Sequence, residues 1–146
     1  MSLCIDQNIR KEDTAMKTAQ LEFIGVLHGD ITDTETAPKN FDESSRVGTL
    51  EIYPEYLEGL DGIEAGQTIV VLFWLHEAGR DTLKVYPRGD RSRRIRGVFS
   101  PRSPARPNPI AISELKVVSV AGNMIEVVGL DILDKTPIID IKKKLS

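Results

Sequence analysis

Four of the chain's eight prolines fall between Pro101 and Pro109. Proline donates no ladder hydrogen bond and locks φ at about −65°, so "RSPARPNPI" can be neither a central strand nor a helix interior. Asn108, set between two prolines, is pushed out of the helical region as well. A free linker fits poorly, because Val98 and Phe99 precede the segment while Ile110 and Ile112 follow it. Those apolar flanks predict a stiff loop with both ends pinned in a core. A loop of that kind loses less entropy when it closes on a ligand. The Asn108 amide carries two donors and an acceptor, suited either to reading a base edge or to holding a turn.

On either side of this loop the pattern is strand-like. "LEFIGVLH" (21–28) and "VGTLEIY" (47–53) are β-rich, and "QTIVVLFWL" (67–75) reads as a central strand buried on both faces. "TLKVY" (82–86) predicts a short strand. "ISELKVVSVAGNMIEVVGLDIL" (112–133) predicts two strands joined at Gly122-Asn123, a strong hairpin signal. "PEYLEGLDGI" (54–63) predicts one or two helical turns opened by Pro54, and 31–45 a long polar loop. Short strands, turn signals and little helix predict an all-β fold, mainly an antiparallel small β-barrel, with one short helix and long loops. Residues 1–20 read as a tail or peripheral element and 21–146 as the barrel domain. No apolar run reaches the about 18 residues of a membrane helix. A single cysteine, Cys4, excludes an internal disulfide and a multi-cysteine zinc site, which fits a cytoplasmic protein.

The 146 residues carry a net charge of −3, yet seven arginines and one acid, Asp90, lie between Tyr86 and Arg106. Arginine's planar fork grips carboxylate and phosphate with two parallel hydrogen bonds. Arg91, Arg93, Arg94 and Arg96, with Arg106 in the proline loop and nearer the pocket, therefore form a candidate face for an anionic ligand or nucleic acid. The other reading is a solvated loop balanced by acids elsewhere. His76 and Glu77 end the most apolar strand, where ligand loops commonly attach. They make no zinc motif, because the other histidine, His28, lies far away in sequence. Asp131 and Asp134 are too few for a metal and suit either a ligand or a turn. Trp74 and Phe73 read as core.

"GVFSPRSPARPNPIAIS" (97–113) followed by "GLDILDKTPIIDIK" (129–142) resembles the TsaA-like family, which includes TrmO-type tRNA N6-adenosine methyltransferases. The resemblance covers about residues 21–145. It implies a small β-barrel that binds S-adenosylmethionine, usually as a homodimer with the site near the subunit contact. It implies methyl transfer to N6 of threonylcarbamoyl-adenosine beside the tRNA anticodon. On the matching positions it makes Arg102 a cofactor contact, holding the methionine carboxylate. Ile112, Asp131 and Asp134 are placed beside the cofactor, with His76 and Glu77, and with Pro38 and Asn40 from the long loop. Arg91, Arg93, Arg94, Arg96, Arg106 and Asn108 face the RNA. No residue is singled out as a catalytic base. The sequence departs from the pattern at Ala111 and Lys135, where the family has glycine, and at Lys143-Lys144, where it has Pro-Tyr. The resemblance also leads to the expectation of a chain without the C-terminal domain that the longer bacterial members carry. Two other readings stay open: a small-molecule methyltransferase using the same cofactor, and a noncatalytic cofactor-sensing or peptide-binding module.

Overall fold

The computed structural model describes residues 15–31 and 46–145. Alternation of apolar and polar residues builds the strands: β1 (Gly25–His28), β2 (Val47–Ile52), β3 (Thr68–Trp74), β4 (Lys84–Val85), β5 (Arg96–Gly97), β6 (Ile110–Ala121), β7 (Met124–Val128) and β8 (Pro137–Lys143). Six of them close an antiparallel barrel in the order β1-β2-β7-β6-β3-β8, while β4 and β5 pair as a separate ribbon. A 3-10 helix, Pro54–Leu60, opens on its proline as the sequence predicts, and a single 3-10 turn, Pro87–Gly89, precedes the arginines.

Because successive side chains on a strand point to opposite faces, one set fills the barrel. Leu27, Leu50, Ile52, Ile69, Val71, Phe73, Leu115, Val117, Ile125, Val127 and Ile138 form that interior, all but sealed from solvent. Closure bends the sheet at two register shifts, one on β3 against β8 and one on β6 against β7. The β6–β7 hairpin turns at Gly122-Asn123 as predicted, with Gly122 at φ 60°.

Three expectations change. β3 is buried on one face only: Val70, Leu72 and Trp74 alternate with the core residues and are half-buried. Ile110 and Ile112 point outward, so the proline loop is not pinned through them; Ser113 and Leu115 take the inward positions of β6. Val98 does anchor the loop's start, sealed from solvent, while Phe99 is 80% exposed. The predicted strands at 21–28 and 82–86 shrink to Gly25–His28 and Lys84–Val85, the residues paired in register with β2, β8 and β5.

The register fixes a polarity. The pairs His28↔Thr49, Val47↔Val128, Trp74↔Ile110 and Val26↔Pro137 set the ends of β1, β3 and β7 beside the starts of β2, β6 and β8. The three long connections, 29–46, 75–109 and 129–136, therefore all leave from one barrel end. The opposite end carries the short β6–β7 turn and the 3-10 helix. Leu130 lies across the loop-bearing end close to Gly48, where an added Cβ would stand 2.2 Å from Leu130 Cδ1 and 2.9 Å from the His28 carbonyl oxygen. Only glycine lets the 129–136 loop settle this deeply.

Candidate functional site

The proline loop is held by two arginines. Arg106 turns its guanidinium inward: Nε donates to the Ser103 carbonyl at 2.9 Å, and Nη2 donates to the Pro101 carbonyl at 2.7 Å and to that of Val98. Its backbone N–H donates to the Gly79 carbonyl at 3.1 Å. Arg80, which the sequence reading did not single out, grips the other side. Its Nε donates to the Pro107 carbonyl at 2.7 Å and its Nη2 to Asn108 Oδ1 at 3.1 Å, with its guanidinium 5.2 Å from the Trp74 ring centroid. Asn108 thus uses its side-chain oxygen on the scaffold. The loop joins the barrel where Leu75 N–H donates to the Pro109 carbonyl at 2.8 Å.

The second motif meets the first at β6. Ser113 is buried, and its Oγ donates to Asp131 Oδ1 at 3.2 Å. Burial pushes the Asp131 carboxyl above the usual carboxylate range, with the Ser113 hydrogen bond opposing it. This carboxyl is partly buried and has no cation among its described partners. Asp134 closes the turn: Oδ1 accepts from Gly29 N–H at 3.0 Å, and its own N–H donates to the Ile31 carbonyl at 2.7 Å. Thr136, buried, donates through Oγ1 to the Leu133 carbonyl at 2.8 Å.

The basic face lies beside this junction in sequence and partly around a hollow. An open hollow of about 420 Å³ is lined by Pro87, Arg93, Arg94, Arg96, Ser100 and Pro101. Asp90 accepts from Ser92 N–H and Oγ at 2.9 and 2.6 Å, which holds its carboxyl below the ordinary value, and it lies 3.5 Å from Arg93 Nε. Arg91 lies over the Tyr86 ring, 5.2 Å from its centroid. Among the described residues, Arg94, Arg96 and Arg102 have no carboxylate at ion-pair distance. Arg102 is exposed. His76 Nε2 lies 3.7 Å from Glu77 Oε2, both exposed, and Ile112 is 43% exposed on the outer face of β6. Pro38 and Asn40 lie outside the described residues. No group of three or more His, Cys, Asp or Glu is gathered for a metal ion among the described residues.

One cluster escaped the sequence reading. His28 and Glu51 sit on the outer face of β1 and β2, with Nε2 and Oε1 2.6 Å apart, and Lys135 Nζ donates to His28 Nδ1 at 3.0 Å. These residues are 23 and 107 positions apart in sequence, so no local pattern could show them together. Lys135 has φ 70°, the single positive φ of a non-glycine residue among the described residues. Ala111 sits inside β6 and carries no such strain.

Fold and candidate site together define a six-stranded antiparallel barrel whose long loops, the arginine-rich stretch among them, all leave from one end. The chain belongs to the tRNA-methyltransferase O N-terminal domain family, whose model matches residues 26–145. A probable S-adenosyl-L-methionine-binding protein of Methanothermobacter thermautotrophicus is 44% identical over 119 residues, covering 82% of this chain and 85% of that one. An S-adenosyl-L-methionine-binding protein of Archaeoglobus fulgidus is 42% identical over 123 residues, covering 84% and 87%. Among solved structures, TrmO from Pseudomonas aeruginosa superposes with a TM-score of 0.70 at 26% identity, covering 88% of this chain. The chain spans 56% of that TrmO chain.

Proposed function

We propose that this protein is an S-adenosylmethionine-dependent methyltransferase whose acceptor is N6 of threonylcarbamoyl-adenosine in tRNA. The observation that carries the reading is the junction of the two long motifs at one barrel end, through Ser113 and Asp131. The chemistry there suits the cofactor. A partly buried carboxylate raised by its own burial is the environment that a cationic sulfonium or ammonium compensates. Arg102, unpaired, suits the methionine carboxylate. His76 and Glu77 in the 75–109 connection, Asp134 in the 129–136 connection and Ile112 next to Ser113 on β6 complete the proposed set, with Pro38 and Asn40 assigned to it from sequence alone.

Bound S-adenosylmethionine supplies a methyl carbon already activated by its sulfonium. What the chain supplies is alignment: Arg106 and Arg80 hold the proline loop rigid, so little ordering remains to be done when the acceptor arrives. Arg91, Arg93, Arg94 and Arg96 meet RNA phosphates as that loop is approached. A homodimer is part of the same proposal. The outward faces of β3 and β6 present Val70, Leu72, Trp74, Ile110 and Ile112 as one apolar stripe, paired in register at Leu72↔Ile112 and Trp74↔Ile110. No helix among the described residues is long and apolar enough to cross a membrane, and a tRNA substrate places the enzyme in the cytoplasm.

The test is methyl-labelled cofactor incubated with the protein and tRNA from cells lacking the corresponding modification enzyme, followed by nucleoside analysis. Label should appear on threonylcarbamoyl-adenosine. Label confined to small molecules, or no transfer with cofactor still bound, would overturn the acceptor.

A further inference from the structure

Lys135 occupies a backbone conformation that glycine adopts freely and other residues resist. Its ammonium does not repay this with an ion pair. The described partner is His28 Nδ1, at 3.0 Å. His28 Nε2 stands 2.6 Å from Glu51 Oε1, so the ring donates there and presents the Nδ1 lone pair to Lys135. The Glu51 carboxylate is thus kept one ring-width away from the ammonium. The other carboxylates of this loop are engaged elsewhere, Asp134 with Gly29 N–H and Asp131 with Ser113. Lys135 N–H donates to the Leu27 carbonyl at 2.8 Å, which fixes the residue to the end of β1. The result is an ammonium steered by a neutral acceptor, exposed at the loop-bearing end, with two N–H donors to spare. Backbone strain of this kind gathers at functional sites.

We propose that Lys135 is an oxyanion anchor for the methyl acceptor, with His28 and Glu51 as positioning residues that aim it without neutralising it. The acceptor role rests on the function proposed above; the anion site does not. Phosphate and carboxylate oxyanions share this chemistry, and the experiment separates them.

The His28 ring resonances of the full chain are followed by NMR at fixed pH during titration with inorganic phosphate and, separately, acetate. The same titrations are run on Lys135→Gly and Lys135→Arg. A saturable shift with either anion, lost in Lys135→Gly and kept in Lys135→Arg, supports the anchor. A response to phosphate alone assigns a backbone phosphate, and to acetate alone a carboxylate on the acceptor. Lys135→Gly is expected to melt at or above the wild type, since the backbone strain is relieved. In the methyl-transfer assay its KM for tRNA should rise about tenfold with kcat within about twofold. Glu51→Gln should give a smaller KM rise. Ring shifts absent from the wild type, or unchanged in Lys135→Gly, overturn the proposal even if tRNA proves not to be the acceptor. An unchanged KM in an otherwise active enzyme would overturn Lys135 as an anchor for the acceptor.

Discussion

Replacing Arg106 by alanine separates a scaffold arginine from a ligand arginine. The side chain donates to three carbonyls of its own loop, those of Ser103, Pro101 and Val98. Hydrogen bonds from a charged donor are each worth about 1.5–3 kcal/mol net. The site is only partly buried, so the freed carbonyls recover water, and the total is discounted to about 2–4 kcal/mol. For a chain of this size about 1 kcal/mol moves the melting temperature by roughly 3 °C, giving an expected drop of about 6–12 °C. Arg106→Lys should recover less than half of it, because a point ammonium cannot serve three acceptors spread along a loop. Calorimetric melting of both variants, paired with cofactor titration, reads the effect. A melting temperature within about 2 °C of wild type, together with lost tRNA affinity, would refute the reasoning. Arg106 would then face the ligand rather than the loop.

Three further outcomes are expected. Asp131 has a folded-state pKa above its unfolded value, so the native state holds the extra proton and stability falls as pH climbs through that interval. Asp131→Asn should therefore flatten this pH dependence and melt higher than wild type at neutral pH without ligand, while cofactor affinity falls; calorimetry across pH 4–8 checks both. Arg102→Ala should abolish cofactor binding with no change in melting temperature, and unchanged affinity by titration would remove it from the site. Neutralising Arg91, Arg93 and Arg94 together should weaken tRNA binding and reduce the slope of log affinity against log salt by about two to three.

The barrel was legible because its strands alternate: Leu50 and Ile52, or Ile125 and Val127, lie two apart and face one core. The Gly122-Asn123 hairpin and the strand-free proline loop followed from backbone chemistry alone. What failed was parity. Whether Ile112 or Ser113 faces inward depends on how β6 registers against β3, some forty residues earlier, and one step reverses every side chain. Arg106 illustrates a second limit. An arginine in a basic run looks the same whether it meets solvent, a ligand or its own loop's carbonyls. The His28, Glu51 and Lys135 cluster shows a third, since closure of the barrel brings together residues from opposite ends of the chain. The sequence did flag Lys135 as an unusual occupant of its position, but only the torsion angle shows what it resists.

The far pole of the barrel has practical value. Gly122 and Asn123 form a tight turn with open space around the glycine, and the Asn123 side chain bonds back to the Ile52 carbonyl at 2.9 Å. A fluorophore or tether placed at Ala121, exposed beside the turn, would project away from the long loops and would spare Gly122, whose φ of 60° a side chain would strain. Immobilised through this handle, the molecule would present its arginine-bearing end to solution, so that binding measured on a surface would match binding measured in free solution.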